Sequence, residues 1–149
     1  MKNTLVVVTD LGGMKAYRLD DNQPHKVPRL ELLAEFTNAE AHQRLVDQVT
    51  DLAGRFPRSR AARSAGAMSD GERHNIELEQ RKRLVRRLAG RLNTLMRDED
   101  VERCYLAASR EMNHQLLDEL DPGARNKIWK NIPADLMKVE KSELLGHFA

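Results

Sequence analysis

The hydrophobic positions follow two periodicities, and their order along the chain outlines a fold. Leu5-Val6-Val7-Val8-Thr9 is an unbroken, mostly β-branched run that predicts a strand buried on both faces, and Asp10-Leu11-Gly12-Gly13 predicts a turn. Met14 to Leu19 then alternates, with Ala16 and Arg18 on one face and Lys15, Tyr17 and Leu19 on the other, so the two segments form a hairpin. Asp20 to Pro28, which holds Asn22 and two prolines, reads as a loop, and Leu30 to Phe36 as a third strand.

Beyond Phe36 the spacing becomes helical. Asn38 is placed to cap a helix whose Ala41, Leu45, Val49 and Leu52 share one face and which ends at Gly54. Ser69 or Asp70 caps a longer helix from Glu72 to Met96, in which Leu84, Leu88, Leu92 and Leu95, with Ile76 and Val85 beside them, form an inward stripe. Val101 to Ala108 returns to strand character, and Glu111 to Leu120 predicts a helix ended by Asp121-Pro122-Gly123. Lys127 to Pro133 is a last short strand carrying Trp129, whose ring is expected in the core, and Ala134 to Leu145 a terminal helix closed by Gly146. Strand, helix and strand in succession make a βαβ unit, so the prediction is an α/β domain with a mixed, mostly parallel sheet and helices packed against it.

Composition sets the scale of that fold. A chain of 149 residues fits one domain and buries roughly 70% of its unfolded surface around a single core. Charged residues make up 32% and the net charge is only +2, so its distribution matters more than its size. From Leu52 to Ser69 there are four arginines and no acid, whereas Glu31 to Asp51 and Asp98 to Asp121 are acid-rich, which predicts a basic side. The single cysteine, Cys104, excludes an intrachain disulfide and fits a reducing compartment. The first apolar run is far shorter than a signal-peptide core or the roughly 20 residues of a membrane span. A cytoplasmic protein without a membrane partner is expected.

The four arginines belong to Gly-Arg-Phe-Pro-Arg-Ser-Arg-Ala-Ala-Arg-Ser-Ala-Gly, residues 54–66, a segment too rich in Gly, Pro and Ser for a core element. Guanidiniums at Arg55, Arg58, Arg60 and Arg63 suit phosphate, and such contacts need no base-specific geometry; a merely solvated loop has the same composition. Phe56 has two readings, stacking on a base or pinning the loop to the core. On the long helix Arg83, Arg86, Arg87 and Arg91 occupy adjoining turns of the exposed side and continue the same basic track.

The order Val6-Val7-Val8-Thr9-Asp10, Lys15-Ala16-Tyr17, Gly54-Arg55-Phe56, a long helix with Leu88-Ala89 and Leu92, Cys104-Tyr105-Leu106-Ala107-Ala108, and Ala134-Asp135-Leu136 resembles the bacterial family of proteins required for attachment to host cells. The resemblance spans nearly the whole chain. It departs at Leu84, where the family tends to an aromatic, and at Met112-Asn113, where it tends to Leu-Gly. That family is similar to the central domain of archaeal and eukaryotic peptide-chain release factors and of Pelota, with its RNase H-like or Rossmann-like sheet, in which a basic loop precedes a long helix. The resemblance implies a contact with rRNA, tRNA or the ribosome by the basic loop at residues 54–69. It does not carry peptidyl-tRNA hydrolysis, because the release-factor Gly-Gly-Gln is missing: the only Gly-Gly pair, Gly12-Gly13, is followed by Met14.

Catalytic chemistry finds little support in the residues. His25, His42, His74, His114 and His147 share no metal-ligand spacing with one another or with Cys104, and there is no Gly-rich phosphate loop or nucleophile elbow. Asp10 closes the first strand, where open α/β sheets place active sites, but a nuclease-type metal site needs further acids, for which Asp70 and Glu72 are the candidates. The reading is therefore a non-catalytic binding module without cofactor or metal, contacting RNA or the ribosome through Arg55, Arg58, Arg60 and Arg63 with Arg83, Arg86 and Arg87 as helpers. The alternatives are a protein-interaction factor supporting host attachment and a hydrolase. The sequence sets no oligomeric state.

Overall fold

The computed structural model describes residues 3–20, 27–38 and 70–148, with side chains described from Asn75 onward in the last stretch. The first apolar run forms β1 (Thr4–Asp10), and the alternating segment after it forms β2 (Gly13–Asp20). Their antiparallel register, Leu5 opposite Arg18 through Asp10 opposite Gly13, is the predicted hairpin. The turn is held by the Asp10 carboxylate, whose Oδ1 accepts the backbone N–H groups of Gly12 at 2.8 Å and Gly13 at 3.0 Å. β3 (Arg29–Thr37) extends the antiparallel ladder from β2. Past β3, the predicted helix capped by Asn38 and the loop bearing Arg55, Arg58, Arg60 and Arg63 lie outside the described residues.

The long helix α1 (Asp70–Asp98) leads to β4 (Arg103–Ala108). Its end is a left-handed cap on a residue other than glycine: Asp100 has φ 51, the Val101 N–H reaches the Met96 carbonyl at 3.0 Å, and the Asp100 N–H that of Arg97 at 3.3 Å. β4 lies parallel to β1, as a crossover through a helix requires. α2 (Asn113–Glu119), α3 (Pro122–Asn126) and β5 (Ile128–Ile132) follow, β5 parallel to β4, and α4 (Lys141–His147) is the final helix. The sheet order is β3-β2-β1-β4-β5. This is a single mixed α/β domain; β2 alone among the five strands runs against the others.

The pleat of β1 divides the core. Leu5 and Val7 face α1 and α2 among Val85, Leu88, Leu92, Met96, Leu106 and Leu116; Val6 and Val8 face α4 among Leu136, Leu144 and Phe148. That two-sided burial is why β1 has no polar alternation. On α1 the buried residues are Leu84, Val85, Leu88, Ala89, Leu92 and Met96. Leu95 is half-buried, and Ile76, expected beside this stripe, is 42% exposed.

Three expectations need correction. Asp121-Pro122-Gly123 ends α2 but also starts α3, because proline at a first helical position has no N–H to waste. The terminal helix begins at Lys141 rather than Ala134: the Asp135 carboxylate takes the Met137 N–H at 3.0 Å, holding residues 134–140 in turns, and the helix then continues past Gly146 to His147. Trp129 is not in the core. It is 57% exposed, because the β4–β5 register jumps from Cys104 opposite Ile128 to Tyr105 opposite Lys130 and leaves Trp129 bulged.

Candidate functional site

Between Gln80 and Arg97, five turns of α1, there are seven cations and no acid. At 100° per residue the buried stripe leaves an outer face on which Arg83, Arg86 and Arg87 stand together, and all three are exposed. Two neighbours moor the edges of this face. The Arg91 guanidinium lies 4.7 Å from the centroid of the Phe36 ring on β3, and Arg86 Nε lies 3.5 Å from Glu119 Oε1 on α2. Arg83 and Arg87 also make contacts of their own. Along the helix, Arg83, Arg87 and Arg91 repeat at i, i+4, as do Lys82 and Arg86, and each such like-charge pair costs about 0.2–0.5 kcal/mol. The structure thus brings Arg83, Arg86 and Arg87 onto one exposed surface, while Arg55, Arg58, Arg60 and Arg63 fall outside the described residues.

The carboxyl ends of β1 and β4 meet where open α/β sheets bind ligands, and they carry a set of buried polar groups that sequence reasoning missed. Thr9 Oγ1 donates to the Gly13 carbonyl at 2.7 Å, and the Ser109 N–H reaches the Thr9 carbonyl at 3.2 Å. The Asn113 and Asn131 carboxamides form a reciprocal pair at 2.7 Å, joining the start of α2 to β5. Ser109 Oγ and both polar atoms of the Asn38 carboxamide are buried without a hydrogen-bond partner. Asn38 reads in the sequence only as a helix cap, and no periodicity or composition marks the others, because an isolated Asn or Ser after a strand reads as a loop residue.

Asp10 stands at the same edge, but its carboxylate is tied to the Gly12 and Gly13 N–H groups of the turn. The side chains of Asp70 and Glu72 lie outside those described, and among the described residues no three His, Cys, Asp or Glu groups gather to hold a metal ion. The Cys104 thiol is fully buried, and desolvation pushes it well above its ordinary 9.0, the reverse of what a nucleophile needs. His114 sits on the surface, 3.3 Å from Asp118.

The described surface includes the following clefts. One, of about 220 Å³, has Ala16, Phe36, Leu95, Arg91 and Asp98 among its lining residues. Another, of about 460 Å³, lies between the start of β3 and α4, with Val27, Leu30, Leu145, Arg29 and Lys141 among its walls. Among the described residues no helix is long and apolar enough to cross a membrane. Compared with known families, residues 5–148 match the family model described as "Protein required for attachment to host cells". No curated protein matches the chain.

Proposed function

The chain belongs to the family of proteins required for attachment to host cells, and we propose that it acts there as a non-catalytic binding module that contacts RNA, as free RNA or on the ribosome. The single observation that carries the reading is the acid-free cationic stretch of α1, whose outer face presents Arg83, Arg86 and Arg87 together. Maintaining like charges at i, i+4 works against the helix, and a polyphosphate ligand offsets that repulsion. Arg55, Arg58, Arg60 and Arg63 precede α1 in the sequence and extend the same charge. On this reading the contact is patterned on the release-factor central domain that the sequence resembles, without the hydrolytic step, since the sequence holds no Gly-Gly-Gln. The reading places the protein in the cytoplasm.

Binding is measured by fluorescence anisotropy with a labelled RNA oligonucleotide across a salt series. The expected result is an affinity that falls steeply with salt and is lost when Arg83, Arg86 and Arg87 are changed together to Glu, and also when the four loop arginines are. Affinity unchanged by both sets of substitutions refutes the proposal.

A further inference from the structure

We propose that Trp129, stacked by Arg103 at the edge of the sheet, is a platform on which a base of single-stranded RNA stacks, a second contact that rests on the reading of the protein as an RNA binder. Tryptophan buries more apolar surface than any other side chain, so one that is 57% exposed on a strand is informative where an exposed leucine is not. The exposure is built in. The register break opposite Cys104 and Tyr105 bulges the strand at Trp129 and turns the ring outward, while Ile128 and Ile132 on either side stay partly buried.

The ring is also held. The Arg103 guanidinium lies over it at 4.6 Å from the centroid, and Arg103 is itself half-buried, with its Nε enclosed and without a hydrogen-bond partner. A planar cation on an indole fixes the ring's orientation before any ligand arrives, which lowers the entropy cost of stacking. Charge selects the ligand. Residues 122–134 hold Arg125, Lys127 and Lys130 and no acid. Arg125 donates to the Leu117 and Asp118 carbonyls of α2 and Lys130 to the Phe148 carbonyl, so both cations are held by backbone from other elements. An exposed aromatic face stacked by one cation, on a segment whose charged residues are all basic, suits a base and its phosphates, and it suits them without sequence preference. A lysine and a bulge also serve to blunt an edge strand such as β5 against further strand pairing, but that task needs no exposed indole.

Trp129 is the only tryptophan in the chain, so its emission reports this site alone. The wild-type protein is titrated with a short unlabelled single-stranded RNA while emission is followed, and in parallel with the labelled strand by anisotropy. The expected result is saturable quenching with the same midpoint as the anisotropy. Trp129→Ala weakens binding about tenfold or more, the loss of one base stack, whereas Trp129→Phe retains most of the affinity. Because the side chain is exposed, both variants keep the wild-type circular dichroism. Anisotropy that rises without any change in emission overturns the platform and leaves the α1 contact standing; no anisotropy change overturns both. Equal quenching by duplex RNA of the same length also overturns it, since bases inside a duplex are covered on both faces by their neighbours and only the end pairs could stack.

Discussion

Among the described glycines, Gly13 leaves the least room for a side chain, and replacing it with alanine gives a stability change whose size can be worked out. Gly13 begins β2 with Asp10 of β1 on one side and Thr37 of β3 on the other. A Cβ at this position meets the Phe36 carbonyl oxygen at 2.6 Å, with the Phe36 carbonyl carbon and Thr37 Cα both at 3.6 Å. The obstacle is backbone in a hydrogen-bonded ladder, so it yields only if β3 separates from the hairpin. Such overpacking costs about 1–3 kcal/mol. Alanine returns about 0.4–1 kcal/mol by restricting the unfolded chain, leaving a net loss of roughly 1–2 kcal/mol. For a domain of this size that lowers Tm by about 2–8 °C. Gly90 supplies the control: it lies within α1, and its added Cβ meets nothing within 4 Å. Gly90→Ala is worth about 0.5–1 kcal/mol through helix propensity and raises Tm by about 1–4 °C. Thermal and urea unfolding by circular dichroism measure both. If Gly13→Ala is as stable as wild type while Gly90→Ala gains, the close approach of β2 and β3 is wrong.

Other consequences follow from single groups. Asp100→Gly relieves a positive φ of 51 at the end of α1 and is expected to add about 0.5–1 kcal/mol, read as a higher urea midpoint. Arg125→Met removes a guanidinium that donates to the Leu117, Asp118 and Leu120 carbonyls at 2.9, 3.0 and 3.3 Å, in and just after the last turn of α2, and should cost about 1 kcal/mol. Cys104 keeps its proton in the folded state above its ordinary 9.0, where the unfolded chain loses it, so the unfolded state binds fewer protons and stability falls as pH rises past that value. The slope is at most about 1.4 kcal/mol per pH unit, Cys104→Ala removes it, and below that pH it vanishes. Tyr17, raised from 10.0 by burial and then by Glu35, adds a decline of the same sign above pH 10 that Tyr17→Phe abolishes. In the folded protein Cys104 should resist thiol reagents at pH 7 until denaturant is added.

Much of the fold was legible because it obeys short-range rules. The unbroken apolar run of β1 announced a central strand, Asp10 to Gly13 announced the hairpin, and the leucines of α1 announced the face that packs on the sheet. The misreadings share a cause. Asp135 and Glu140 look compatible with helix, and only the competition between the Asp135 carboxylate and the helical backbone decides that residues 134–140 turn instead. Trp129 looks like core, and only its pairing partner in β4 reveals the bulge. The candidate cations were legible as composition, yet their grouping was not: Arg91 is drawn to Phe36, Arg86 leans toward Glu119, and the elements receiving them are distant in sequence.

By itself, then, the sequence determined the strands, the hairpin, the inward face of α1 and the charge of its outer face, since periodicity and turn chemistry act over a few residues. Tertiary structure alone decided the order β3-β2-β1-β4-β5, the Asn113–Asn131 pair at the carboxyl edge and the exposure of Trp129. Those depend on which strand lies beside which and in what register, and register is set by long-range pairing.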